Sequence, residues 1–96
     1  MAEYRLAPAA ESDLKNIWFY THQRWGTRQA DKYIETLVKA FIKLAHSPDI
    51  APACDHIRSG YRRYSIERHQ LYFRTTDYGV DIIRILHDRM DALRHI

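Results

Sequence analysis

Between Ile57 and Arg89 the chain reads IRSGYRRYSIERHQLYFRTTDYGVDIIRILHDR, three short β-patterned runs separated by turn chemistry. Val, Ile, Tyr, Phe and Thr suit a pleated strand, whereas Glu67 to Gln70 and the tip Asp77-Tyr78-Gly79 interrupt the pattern as hairpin connections do. The pattern predicts a three-stranded antiparallel meander. Alternation then assigns faces: Asp81, Ile83, Ile85 and His87 lie on one side of the last run, and Val80, Ile82, Arg84 and Leu86 on the other. In the middle run Leu71, Phe73 and Thr75 oppose Tyr72, Arg74 and Thr76. Neither face is simply polar. With helices over one side only, the second is expected to keep an apolar surface studded with Arg74, Arg84 and tyrosines. That is more than a monomer usually leaves in water, so this face is expected to bind something.

The segments before the meander supply the helices. Glu3 to Ala7 alternates weakly and reads as an edge strand. Pro8 fits the first turn of a helix, where Glu11 and Asp13 complement the dipole. Leu14, Ile17, Trp18, Thr21 and Trp25 then recur three and four residues apart, one face of a helix that Gly26 stops. Thr27 is a candidate N-cap for a second helix, whose stripe runs through Ala30, Ile34, Leu37, Phe41 and Leu44 and is widened by Tyr33, Val38 and Ala45. Ser47-Pro48 ends it, because the residue before proline is pushed out of the α region. With a single glycine between them, the two helices fold back as an antiparallel hairpin on one face of the sheet. Asp49 to His56 is a proline-containing connection. Met90 to Ile96 is a short tail, at most one turn of helix, of the kind often free until bound.

At 96 residues, 46% apolar and 28% charged, the sequence is expected to form one domain, 1–96, with one modest core. It holds no apolar run of the roughly 18 residues a membrane span needs, and MAEYRLAPAAESD lacks the charge and apolar stretch of a leader. A soluble, cytoplasmic protein without a membrane partner is expected. The lone Cys54 offers no internal disulfide. Net charge is +3, and its placement matters more. Basic and acidic residues balance as far as His56, while beyond it eight arginines (58, 62, 63, 68, 74, 84, 89 and 94) face five acidic residues (67, 77, 81, 88 and 91). Arginine's planar fork suits carboxylate or phosphate, so an acidic peptide or a nucleic-acid backbone would match this half.

Catalytic and metal chemistry is weakly represented. His46, Cys54 and His56 share one loop, but their spacing matches no zinc pattern. Gly26, Gly60 and Gly79 stand alone, so no phosphate-cradling loop exists, and no nucleophile motif is present. No metal or other cofactor is expected. The best catalytic constellation is Arg62, Arg74, Arg84 and His87, which could supply a ribonuclease with acid-base and phosphorane-stabilising groups. Alternation sets His87 and Arg84 on opposite faces, which favours a half-buried histidine at the sheet end. Trp18 and Trp25, by helical spacing, read as core. Lys15, Lys32, Lys39 and Lys43 fall off the apolar stripes as solvated charge.

The motifs YRLAPAAESDL (4–14), I-x-x-Y-T (17–21) followed by RWG (24–26), RSGYRRY (58–64), YFR (72–74) and IIRILHDRMD (82–91) occur in this order along essentially the whole chain. In order and spacing the chain resembles the ParE branch of the RelE/ParE superfamily of bacterial type II toxin-antitoxin systems. The resemblance implies an α+β fold, β-α-α-β-β-β, with a helix hairpin on one face of a small, mainly antiparallel sheet. It also implies a toxin neutralised by a ParD-type antitoxin, whose acidic or amphipathic C-terminal region covers the open sheet face and the hairpin. Free, such a toxin inhibits DNA gyrase without chemistry of its own and without reading DNA sequence by itself.

On this reading Arg58, Tyr61, Arg62, Tyr72, Arg74 and Arg84 are the candidate antitoxin contacts, and His87, Arg89 and Arg94 the candidate target contacts. The RelE branch instead cuts mRNA on the ribosome with a basic cluster and a terminal tyrosine or histidine. This meander has no lysine, and its terminal segment matches ParE, yet His87 keeps an mRNA endonuclease as the alternative. A toxin that only binds its antitoxin is the third reading.

Overall fold

The structure, a computed structural model, describes residues 2–96. Strand β1 (Glu3–Leu6) leads into helices α1 (Pro8–Trp25) and α2 (Thr27–His46). A 3-10 turn (Pro48–Ile50) and a loop follow, then strands β2 (Tyr61–Ile66), β3 (His69–Thr75) and β4 (Gly79–His87), and a short helix α3 (Ala92–His95). The sheet order is β1-β4-β3-β2, with β1 parallel to β4 and the other pairs antiparallel. The predicted α+β fold, helix hairpin and meander are therefore present. Among the described residues no helix is long and apolar enough to cross a membrane.

The α2 stripe is the centre of the core. Ala30, Leu37, Ala40, Phe41, Leu44 and Ala45 are buried, and the helix packs on Leu71, Phe73, Val80, Ile82 and Ile85 of the sheet. Each fully buried Leu, Ile or Phe contributes about 1.5–3 kcal/mol of transfer free energy, so this seam dominates the stability of a chain this short. Helix α1 contributes less: only Ala10 is fully buried, with Leu14 and Ile17 half-buried against the core. The two helices meet at Gly26, whose φ of +90° a side chain would resist. Its N–H closes α1 on His22 O and its carbonyl accepts from Ala30 N. Gly26, not Thr27, is the N-cap residue of α2; Thr27 is the first helical residue, and its hydroxyl lies 3.0 Å from His22 Nδ1.

Alternation along β4 fails at one position. Opposite β3, Arg84 pairs with Tyr72 while Ile82 pairs with Phe73, so Ile83 is an extra residue. This bulge reverses the faces that a strict period of two assigns beyond it. Ile82 and Ile85 both enter the helix-facing core, whereas the sequence had put them on opposite sides.

The bulge sits where β1 runs out. Pairing between β1 and β4 ends at Leu6 and Ile82, with Ala7 N–H reaching Ile82 O. Past that point a side chain from α1 replaces the missing strand. Asp13 Oδ2 accepts from Ile85 N–H at 2.9 Å and from Arg84 Nε at 2.8 Å, and Oδ1 accepts from Arg84 Nη2 at 2.9 Å.

The second sheet face is less open than expected. Tyr72 and Leu86 are buried there, 3% and 1% exposed, beneath Cys54, Ile57, Ala92 and Ile96. The tail is held, not free: Asp91 caps α3 by accepting from Leu93 N–H, and Arg84 Nη1 donates to His95 O at 2.8 Å. The loop and the C-terminus thus cover part of the surface that periodicity alone left bare.

Two substitutions test these joints. A Cβ on Gly79 would lie 2.0 Å from Glu3 O at a φ of +144°, so Gly79→Ala is expected to prise β1 from β4 and cost several kcal/mol in urea unfolding. Asp13→Ala strands a half-buried guanidinium and a strand N–H and is expected to cost about 2–4 kcal/mol, with Asp13→Asn costing less because its amide oxygen still accepts.

Candidate functional site

Two surfaces gather the functional-type side chains, and they lie on different sides of the sheet. On the face away from the helices, Arg74 pairs with Asp81 at 3.2 Å, and Asp81 also accepts from the Tyr78 hydroxyl. Arg5 lies over the Tyr78 ring, 3.8 Å from its centroid, and bonds Glu3 at 2.8 Å. Neighbouring strands therefore carry a charged, aromatic strip across this face.

The candidate antitoxin contacts divide by accessibility. Arg58 and Arg74 are exposed and Tyr61 is half-buried. Arg62, also half-buried, donates to Ala51 O at 2.7 Å and ties the loop to β2. Tyr72 is covered, and the whole fork of Arg84 is taken up by Asp13 and His95 O. The Asp13 hydrogen bonds raise the Arg84 pKa further, so it stays charged within its pair. The supposed catalytic set does not assemble: Arg62, Arg74 and Arg84 each turn to a separate internal partner, and His87 faces elsewhere.

His87 lines the second surface, a cleft of about 1230 Å³ between the helix hairpin and the end of the sheet where β3 begins and β4 finishes. It pairs across the sheet with His69, their rings edge-on with centroids 5.5 Å apart. His69 Nδ1 lies 2.6 Å from the Tyr33 hydroxyl of α2. Burial, with His87 adding to it, pushes the His69 pKa down to about 4, and burial raises that of Tyr33, so both rings are neutral near pH 7. The bulge makes this histidine pair: an unbroken register from the turn, with Thr75 opposite Val80, would set His69 opposite Leu86, and the extra residue Ile83 shifts it to His87. Arg89 is exposed on the cleft rim, and its N–H donates to His87 Nδ1 at 3.2 Å. Arg94 lies elsewhere, on α3, with its side chain 84% exposed.

Helical spacing placed Trp18 and Trp25 in the core, and the structure buries neither fully. Trp25 is 71% exposed at the hairpin apex, where the cleft and not the sheet lies beside it, and Phe19 and Tyr20 are 60% and 59% exposed. Trp18 is half-buried between the helices, stacked on His22 with its indole N–H donated to Asp31 at 2.9 Å. The suggested loop ligands do not converge: among the described residues no three His, Cys, Asp or Glu side chains could hold a metal ion. Cys54 is buried, and that burial raises its thiol pKa.

The depressed His69 pKa carries a linkage prediction. Unfolded, the ring protonates near its ordinary 6.5; folded, it resists until about 4. Below pH 6.5 the unfolded state therefore binds the extra proton, and stability falls until about pH 4. His69→Gln keeps a polar partner for Tyr33 but cannot titrate, and is expected to flatten this fall by about 1–2 kcal/mol, a figure discounted for the exposed part of the ring. Urea unfolding of both proteins across this pH range is the check.

Comparison with known proteins accords with this geometry. A family model described as ParE toxin of type II toxin-antitoxin system, parDE, matches residues 4–92. "Toxin ParE1" of Mycobacterium tuberculosis is 44% identical over 96 residues, covering 99% of this chain and 98% of that protein. "Toxin ParE1" of Caulobacter vibrioides is 38% identical, covering 100% and 99%. A chain of the solved "Chromosomal ParDE TA system from P. aeruginosa" shares the fold, with a TM-score of 0.78 at 20% identity over 91% of this chain and 96% of that one. The motifs, the fold and these likenesses agree: the chain belongs to the ParE toxin family of type II toxin-antitoxin systems.

Proposed function

We propose that this toxin acts in the cytoplasm by binding and inhibiting DNA gyrase, arresting growth in the service of plasmid or chromosome maintenance, and that a ParD-type antitoxin neutralises it. The observation that carries a binding role is the exposure of Phe19, Tyr20 and Trp25 on one helix. Large apolar rings are rarely left in water in such number without a partner, and aromatic residues with arginine are enriched where partners dock.

The antitoxin would lay an acidic or amphipathic C-terminal segment along the hairpin and the arginine-bearing sheet face. There Arg58, Tyr61 and Arg74 are the direct contacts, with Arg74 exchanging Asp81 for a carboxylate of the partner. Arg62, Tyr72 and Arg84, held from within, shape that face. His87, Arg89 and Arg94, at or just beyond the end of β4, are the proposed gyrase contacts.

Ribosome-dependent mRNA cleavage is a second reading, and one observation favours it: His87 stands beside a second histidine at a cation-rimmed cleft. Against it, the meander arginines that would stabilise a phosphorane point to Ala51, Asp81 and Asp13. A toxin that binds its antitoxin but harms nothing is the third reading.

The test is plasmid supercoiling by purified gyrase with ATP, with and without the folded protein. Lost supercoiling together with accumulated linear DNA is expected, weakened by Arg89→Ala and Arg94→Ala. No effect on gyrase, with mRNA cut during reconstituted translation in a His87-dependent way, would establish the nuclease instead. For the antitoxin, calorimetry with its C-terminal segment is expected to show Arg58→Ala and Arg74→Ala each weakening binding about tenfold, near 1.4 kcal/mol. Unchanged affinity would remove both residues from the interface.

A further inference from the structure

The cleft at the hairpin end holds more charge than either partner role uses. Four cations line it from four different elements or turns: Arg24 at the end of α1, Lys32 on α2, Arg68 in the β2–β3 turn and Arg89 after β4. All four are exposed, and among the described residues none makes an ion pair or a side-chain hydrogen bond. The acidic residues on the same lining are Asp13, already neutralised by Arg84, and Glu67. The field inside is therefore positive, and the four cations come from separate parts of the sequence around one concavity. Solvated charge on a single helix face would not converge in this way.

Trp25 supplies a flat, open ring face on the same lining, while the Tyr20 ring beside it already carries the Arg24 guanidinium 5.4 Å from its centroid. Deeper in, His69, held neutral, and His87 add hydrogen-bonding nitrogens close to Tyr33. Cations that track a backbone beside exposed aromatic rings form the arrangement that holds single-stranded nucleic acid: phosphates meet the Arg and Lys, and unpaired bases stack on the rings. A duplex hides its base faces and would use the cations alone. A volume near 1230 Å³ also exceeds the roughly 300–1,000 Å³ usual for a small ligand, which favours a short stretch of polymer. An acidic peptide would satisfy the charge but leaves the Trp25 ring without a stacking partner.

We infer that this cleft binds single-stranded nucleic acid without sequence preference, with phosphates on Arg24, Lys32, Arg68 and Arg89 and a base against Trp25. The site lies on the other side of the sheet from the arginine face proposed for the antitoxin, shares His87 and Arg89 with the proposed gyrase contacts, and does not depend on gyrase being the target.

The experiment is fluorescence anisotropy of a fluorescein-labelled oligothymidylate titrated with the full chain. An oligouridylate, a duplex of equal length and polyglutamate serve as competitors. Binding of the single strand is expected to exceed that of the duplex and to weaken with salt, the log–log slope being about 0.7 per contacted phosphate. Arg68→Gln with Arg89→Gln is expected to weaken it at least tenfold, and Trp25→Ala about tenfold through lost stacking. Lys15→Gln removes one positive charge, as each of the two arginine changes does, from the exposed side of α1 outside the cleft, and is expected to leave binding unchanged. These side chains are exposed, so circular dichroism is expected to show every variant folded. No binding, equal loss with Lys15→Gln, or displacement by polyglutamate as readily as by the oligonucleotides would overturn the inference, the last assigning the cleft to an acidic peptide. Competition by oligouridylate as well as oligothymidylate supports it for either sugar.

Discussion

Asp13 does for β4 what a longer β1 would have done. Strand β1 is only four residues long, so half of β4 would otherwise present bare donors at a sheet edge packed beneath a helix. One carboxylate accepts from the strand N–H of Ile85 and from Nε and Nη2 of Arg84, and Arg84 Nη1 in turn holds the His95 carbonyl. Helix α1, the bulge at Ile83 and the C-terminal tail are thereby linked through one pair of side chains. Removing the pair would loosen three parts of the molecule whose own buried area is small, because α1 and α3 each bury one alanine fully.

How far the sequence revealed the fold depended on whether a single period governed each segment. The stripe from Ala30 to Ala45 keeps a 3.6-residue period without interruption, and the structure buries it as expected. In β4 the period of two holds on each side of Ile83 and fails across it, because a bulge leaves no mark in composition. Trp25 keeps helical register with Leu14 and Thr21, yet register says nothing of whether sheet lies beneath that turn. The covering of Tyr72 by Cys54, Ile57 and the tail is a contact between segments far apart in sequence, which no local pattern encodes.

The candidate site was legible in the same uneven way. Counting arginines after Ile57 pointed to an anion-binding half, and Arg58 and Arg74 do face solvent. Arg84 looked equivalent to them but has a carboxylate partner seventy-one residues earlier in the chain, invisible to alternation. Lys32 looked like ordinary solvated charge, since it falls off the apolar stripe of its own helix, and nothing in the spacing of Arg24 tied it to the sheet. Only folding sets them around one opening with Arg68 and Arg89.

The outer edge of β2 is closed by the chain itself. Its outward-facing Tyr61 carbonyl and Arg63 N–H are bonded to Cys54 N–H and the Pro52 carbonyl, so a proline-bearing loop lies along the strand like a selvedge. Unpaired strand edges are where like chains stick to one another, and proline with irregular backbone blunts them. The β2 edge is therefore a poor template for a strand from another copy, and any partner that adds to this side of the sheet must first lift the loop.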